Sequence, residues 1–143
     1  MGIIVRLFAL SIGYVLACTA AATVFTLGTL SAADDTLVSQ IPSVALWWLI
    51  CIEAAIMAAL AMLPALLIIA LAEGFAWRSV ILYGVLGGVL ALALGYGIDF
   101  AGYLGGPDTL VAHEREVLAA AGIAGGLTYW AVAGRNAGAW SAG

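Results

Sequence analysis

The stretch from Val44 to Leu71 reads VALWWLICIEAAIMAALAMLPALLIIAL, 28 residues interrupted by one charge, Glu53, and one proline, Pro64. As a helix rising about 1.5 Å per residue, such a run is roughly 40 Å long, more than the ~30 Å hydrocarbon core of a bilayer. Its length and apolarity predict a membrane-spanning helix. Pro42 stands at its entry, where a missing N–H costs nothing in the first helical turn. Pro64 predicts a bend in the later third of the helix.

Working outward, Leu7 to Leu30 is uncharged, Ser79 to Ile98 is uncharged and glycine-rich, and Val117 to Ala133 is apolar beyond the polar cluster His113-Glu114-Arg115-Glu116. The whole chain repeats the pattern. Of its 143 residues 66% are hydrophobic and 8% charged, with mean hydropathy +1.19, whereas a soluble domain carries about 25% charged residues. These values exclude a disordered chain, a disulfide scaffold and a broad basic surface for nucleic acid. The reading is an all-α integral membrane protein. A single domain, residues 1–143, holds four transmembrane helices, at about 7–30, 44–71, 79–98 and 113–133.

The start of the chain, with Arg6 ahead of an apolar stretch, has the outline of a secretory signal. Signal cores are about 7–15 residues long, and this one continues to Leu30, so it is read as an anchor. Cys18 and Cys51 lie inside apolar runs and read as packing residues. Helix-rise counting places them at different depths, which argues against a disulfide.

Charge placement orients the spans. Arg6, Arg78 and Arg135 fall on one side of the four-span pattern, and positive residues are retained in the cytoplasm. Both termini and the Glu73 to Arg78 turn are therefore expected to be cytoplasmic, in a cell inner membrane. Asp34, Asp35, Asp99, Asp108 and the His113 to Glu116 cluster face the other side, with Arg115 the exception. The Gly102 to Asp108 stretch reads as a loop, and Asp108 or Thr109 as the cap of the last helix. Trp47 and Trp48, Phe75 and Trp77, and Trp130 and Trp140 form aromatic belts at the two interfaces. The net charge of −4 comes from scattered acids and identifies no partner.

Helices in lipid associate through close backbone approach and interhelical hydrogen bonds. Gly84-x-x-x-Gly88 and Gly122-x-x-x-Gly126 lie level when counted from Ser79 and Ala133, which predicts a tight antiparallel hairpin of spans three and four. Gly87, Ala91 and Gly95 form a neighbouring stripe. Small residues Ala9, Gly13, Ala17 and Ala21 on span one, and Ala54, Ala55, Ala58, Ala59 and Ala61 on span two, predict a second hairpin, giving an antiparallel four-helix bundle.

Glu53 is the one acid well inside an apolar run. Counted from Val44 it lies about 13 Å deep, near the midplane. A carboxylate there must face the bundle interior, bond to a donor or keep its proton. Thr19 and Thr23 reach the same level, so a polar seam of Glu53, Thr19 and Thr23, with Thr26 on the same face, is expected between spans one and two. Two readings are open: a proton or cation site, or a structural partner that fixes the hairpin or recruits another membrane subunit.

The size and four-span layout resemble small multidrug resistance transporters in architecture alone. In that family the membrane glutamate is in the first span, whereas Glu53 is in the second, and no motif matches. His113 is a lone histidine without the paired spacing a metal or haem needs. Gly122 to Gly126 is no phosphate loop, and no serine has a partner histidine. The expectation is a non-enzymatic accessory or scaffold subunit acting through helix packing, with no cofactor, no metal and no nucleic acid. Its partners are the lipid bilayer and either other membrane subunits or further copies of itself. The alternative is a small oligomeric proton-coupled transporter or channel using Glu53.

Overall fold

A computed structural model describes residues 3–31, 39–98 and 108–137. The expected features at Asp34, Asp35 and Asp99, the loop before Asp108 and Trp140 lie outside these residues. Among the described residues the chain is all-helical, with four α-helices and no strand. They are α1 (Ile3–Ser31), α2 (Ser43–Gly74), α3 (Val80–Ile98) and α4 (Asp108–Val132), followed by a short 3-10 turn at Gly134–Asn136. Two segments, Ile4–Ser31 and Ser43–Gly74, are long and apolar enough to cross a membrane.

Local chemistry sets the ends of α2. Pro42 sits one residue before the helix rather than in its first turn, with φ −60° and ψ 141°. Its carbonyl accepts the Leu46 N–H at 3.2 Å, which begins the helical hydrogen-bond series. Pro64 lies inside α2, and the helix runs through it. At the other end the Trp77 N–H reaches back to Ala72 O at 2.9 Å, and the Ala76 N–H to Glu73 O at 3.4 Å. This six-to-one, five-to-two pair is the Schellman closure, which wants a left-handed residue between the two bonds. Ala76 takes it, with φ 50°, while Gly74 remains helical. Trp77 then packs against the buried cluster of Ala72, Tyr83, Tyr129 and Ala133.

Helix α4 is central, packing along both α1 and α3, while α1 also packs on α2. Going up α1, Gly13 faces Ala133 and Tyr129, Ala17 and Ala21 face Gly125, and Gly28 faces Val117, so α1 and α4 run in opposite directions. The same holds for α3 and α4, where Tyr83 and Gly84 face Gly126, Gly87 faces Gly122 and Gly95 faces Leu118.

The expected pairing of spans one and two is the lesser of α1's contacts, because α1 packs more extensively on α4. The reason is in α4: Gly122 and Gly126 open one face to α3, and Gly125 opens another to α1. With glycine on two faces, α4 accepts a close neighbour on each side.

Helices α2 and α3 barely touch. Much of α2 is uncovered: only 6% of its most apolar window is buried. Leu63, Leu67, Trp47 and Trp48 are all about two-thirds or more exposed, as is Ile81 on α3. Apolar patches of that extent on a folded chain mark contact with lipid or with another protein. The buried cluster of Ala72, Tyr83, Tyr129 and Ala133 sits at the end where α2 hands over to α3.

Candidate functional site

Two contacts between polar side chains join α1 to α2. Near the start of α1, the buried Arg6 donates through Nη2 to Oε1 of the part-buried Glu73. Arg6 Nε has no acceptor among the described residues. Near the end of α1, Thr26 Oγ1 lies 2.5 Å from Glu53 Oε2 and 2.8 Å from its own helix's Ala22 O. Thr26 is fully buried, so its hydroxyl has no water to turn to, and Glu53 and the Ala22 carbonyl share it.

Thr19 and Thr23 do not reach Glu53. Their hydroxyls donate to Val15 O at 2.9 Å and Thr19 O at 2.8 Å, one turn back on their own helix. The level of Glu53 also differs from the sequence count. Thr26 is only five residues from the last residue of α1, so Glu53 sits about 7–8 Å from that helix end and about 30 Å from the Arg6–Glu73 pair. Counting from Val44 misplaced it because the first residues of α2 extend past the end of α1. Glu53 belongs to one end of the bundle, not to its middle.

The glycine contact between α3 and α4 is likewise shifted round the helix. Gly122 and Gly126 lie against the α3 backbone at Gly87 and Tyr83. Gly84 and Gly88 are turned toward side chains, Leu127 for the first and Ile123 for the second. The Gly87 stripe therefore makes the closest backbone approach.

Between α2 and α3 lies a cleft of about 330 Å³, floored by α1 and α4. Its lining is apolar side chains, glycine, Cys18 and tyrosine, except for Glu53, Glu114 and Arg115. At the opposite end stand Tyr83 and Tyr129, with ring centroids 5.7 Å apart. Tyr14, also on the wall, donates to Ala58 O at 2.6 Å. This hydrogen bond ties α1 to the middle of α2.

His113 is half-buried, with Nε2 3.3 Å from Gly28 O. Cys18 is buried and Cys51 exposed, and both are free thiols. Among the described residues no three His, Cys, Asp or Glu side chains gather as a metal site. Sequence reading missed the Arg6–Glu73 pair, although the signal was present: each residue flanks an apolar run at ends that an antiparallel pairing brings together. The chain matches no protein-family model, no curated protein and no solved structure.

Proposed function

We propose that the chain is a four-span integral protein of a bacterial-type inner membrane, with cytoplasmic termini, that acts as an accessory or scaffold subunit through helix packing. Two helices of spanning length and the uncovered apolar surface of α2 support the membrane reading. Its orientation is supported by the grouping of positive charge. Arg6 pairs with Glu73, Arg78 Nε donates to Ala137 O at 3.0 Å, and Arg135 lies in the turn just before Ala137, all at one end of the bundle.

The observation that carries the scaffold reading is the outer face of α2. Cys51, Ala55 and Ala59, at four-residue spacing, are all exposed, and about 100° per residue places them on the side of α2 opposite Glu53. Small residues at this spacing are what membrane helices use to approach one another. Purification in mild detergent followed by mass spectrometry should find the chain in a larger complex. A membrane-soluble bismaleimide should cross-link Cys51, and not Cys18, to a neighbouring chain. Recovery only as a monomer, with no Cys51 cross-link in the membrane, refutes the reading.

The transport reading draws on one observation, the position of Glu53 on the wall of the cleft. Loss of a transport phenotype in Glu53→Gln, with assembly intact, would put it in place of the scaffold reading.

A further inference from the structure

We infer that the cleft between α2 and α3 holds one acyl chain of a phospholipid carrying a primary ammonium beside its phosphate. The inference rests on the membrane-spanning reading above. Three observations carry it: the size of the cleft, its length and the placement of its charges.

The cleft offers about 330 Å³, within the range of small-ligand sites. Along its walls it runs from Tyr83 to Gly95 on α3 and from Tyr129 to Glu114 on α4, about 18–23 Å by helix rise. One leaflet's chains cross about half of a ~30 Å core, so a single chain fits lengthwise. Gly87, Gly122, Gly125 and Ala121 form part of the cleft lining.

The charged lining residues lie together at one end. Glu53 is level with Thr26, and Glu114 follows His113, which lies against Gly28, two residues beyond Thr26. Arg115, the residue after Glu114, is exposed and also on the lining. A carboxylate has room for several donors and a guanidinium offers five, so this mouth matches a headgroup whose ammonium and phosphate are adjacent. Among the described residues a purely anionic headgroup meets two carboxylates with one cation, and a trimethylated ammonium has no N–H to donate. Tyr83 and Tyr129 close the far end, where the chain terminus rests.

The test uses the full-length protein in mild detergent, offered equal amounts of dioleoyl-phosphatidylethanolamine and dioleoyl-phosphatidylglycerol, with bound lipid read by native mass spectrometry. One phosphatidylethanolamine per chain is expected, with at least about threefold preference. Glu53→Gln should bring the preference close to one. Ala61→Phe, which places a ring in the slot, should cut retained lipid at least about threefold while leaving the helical circular dichroism intact. Ala65→Phe, one turn further along α2, fills the slot independently should the first variant misfold.

Equal retention of both lipids by the wild type, undiminished lipid in both phenylalanine variants, or a second protein chain in place of lipid overturns the inference. Carbonate extraction of membranes separates the two levels. A chain that stays in the pellet but shows no lipid preference refutes the cleft inference alone, whereas a chain released by carbonate refutes the spanning reading and this one with it.

Discussion

Replacing Gly126 by alanine adds one methyl group at the closest approach of α3 and α4. A Cβ there would lie 2.9 Å from the Tyr83 carbonyl carbon and 3.4 Å from Gly84 Cα, and it would meet the Tyr83 oxygen as well. These are backbone atoms, with no rotamer to move aside. Carbon pairs sit comfortably at about 3.5–4.0 Å, so the helices must part locally by about 1 Å. A gap of that size forfeits about a quarter to a half of each contact. With about 20 to 30 atom pairs of ~0.15 kcal/mol along the crossing, the loss is about 1–2 kcal/mol, within the usual overpacking range of ~1–3 kcal/mol.

Alanine also favours helix over glycine, by up to about 1 kcal/mol, so the steric effect needs a reference. Gly74→Ala supplies it: that glycine is helical and a Cβ there meets nothing within 4 Å. Thermal unfolding in detergent, followed by circular dichroism, should place Gly126→Ala below Gly74→Ala by about 1–3 kcal/mol, or roughly 3–12 °C in Tm at this chain length. Equal melting of the two variants would refute the close packing of α3 on α4.

Other perturbations separate the remaining contacts. Glu73→Leu leaves the buried Arg6 charge without this carboxylate and should cost about 3–5 kcal/mol. The double Arg6→Leu/Glu73→Leu should cost less than Glu73→Leu alone, and a double-mutant cycle in denaturant titrations measures the coupling. Thr26→Val should destabilise by about 1 kcal/mol through the lost bond to Glu53, while Thr19→Val and Thr23→Val, whose hydroxyls bond only their own helix, should stay within ~0.5 kcal/mol. Ala76→Gly should stabilise by about 0.5–1 kcal/mol, relief of the left-handed strain exceeding the entropy lost to glycine in the unfolded chain. A fall in Tm would show that Ala76 is not held at positive φ.

The apolar runs announced the helices: α1 ends at Ser31, one residue past the Leu30 boundary, and α4 carries the expected apolar run from Val117. Runs of that kind are legible because a polar residue cannot interrupt a spanning helix cheaply. Which threonine meets Glu53 was not legible, because it depends on the axial offset of two helices, and a shift of one turn exchanges Thr23 for Thr26. Small residues were poor guides to pairing for a related reason. They permit close approach on any face that bears them, and α4 bears glycine on two. The left-handed residue of the α2–α3 turn fell on Ala76 because the Schellman bonds count from the helix end, not from the nearest glycine.

The two contacts between polar side chains of α1 and α2, which lie on either side of the Tyr14 bond to Ala58 O, are separated by the same number of residues on each helix, from Arg6 to Thr26 and from Glu53 to Glu73. One contact alone would allow the pair to pivot about it, whereas two at the ends of a common lever arm forbid both pivoting and sliding. They act as a vernier. A single alanine inserted into α1 between them, at any depth, turns one end by about 100° against the other, and one of the two contacts must break. Deleting a residue from α1 and one from α2 over the same interval restores the equal spacing but leaves the far-end residues of both helices turned by about 100°. The pair thus fixes the facing of the two helices as well as their length, and a compensating indel in the other helix should recover the second without the first.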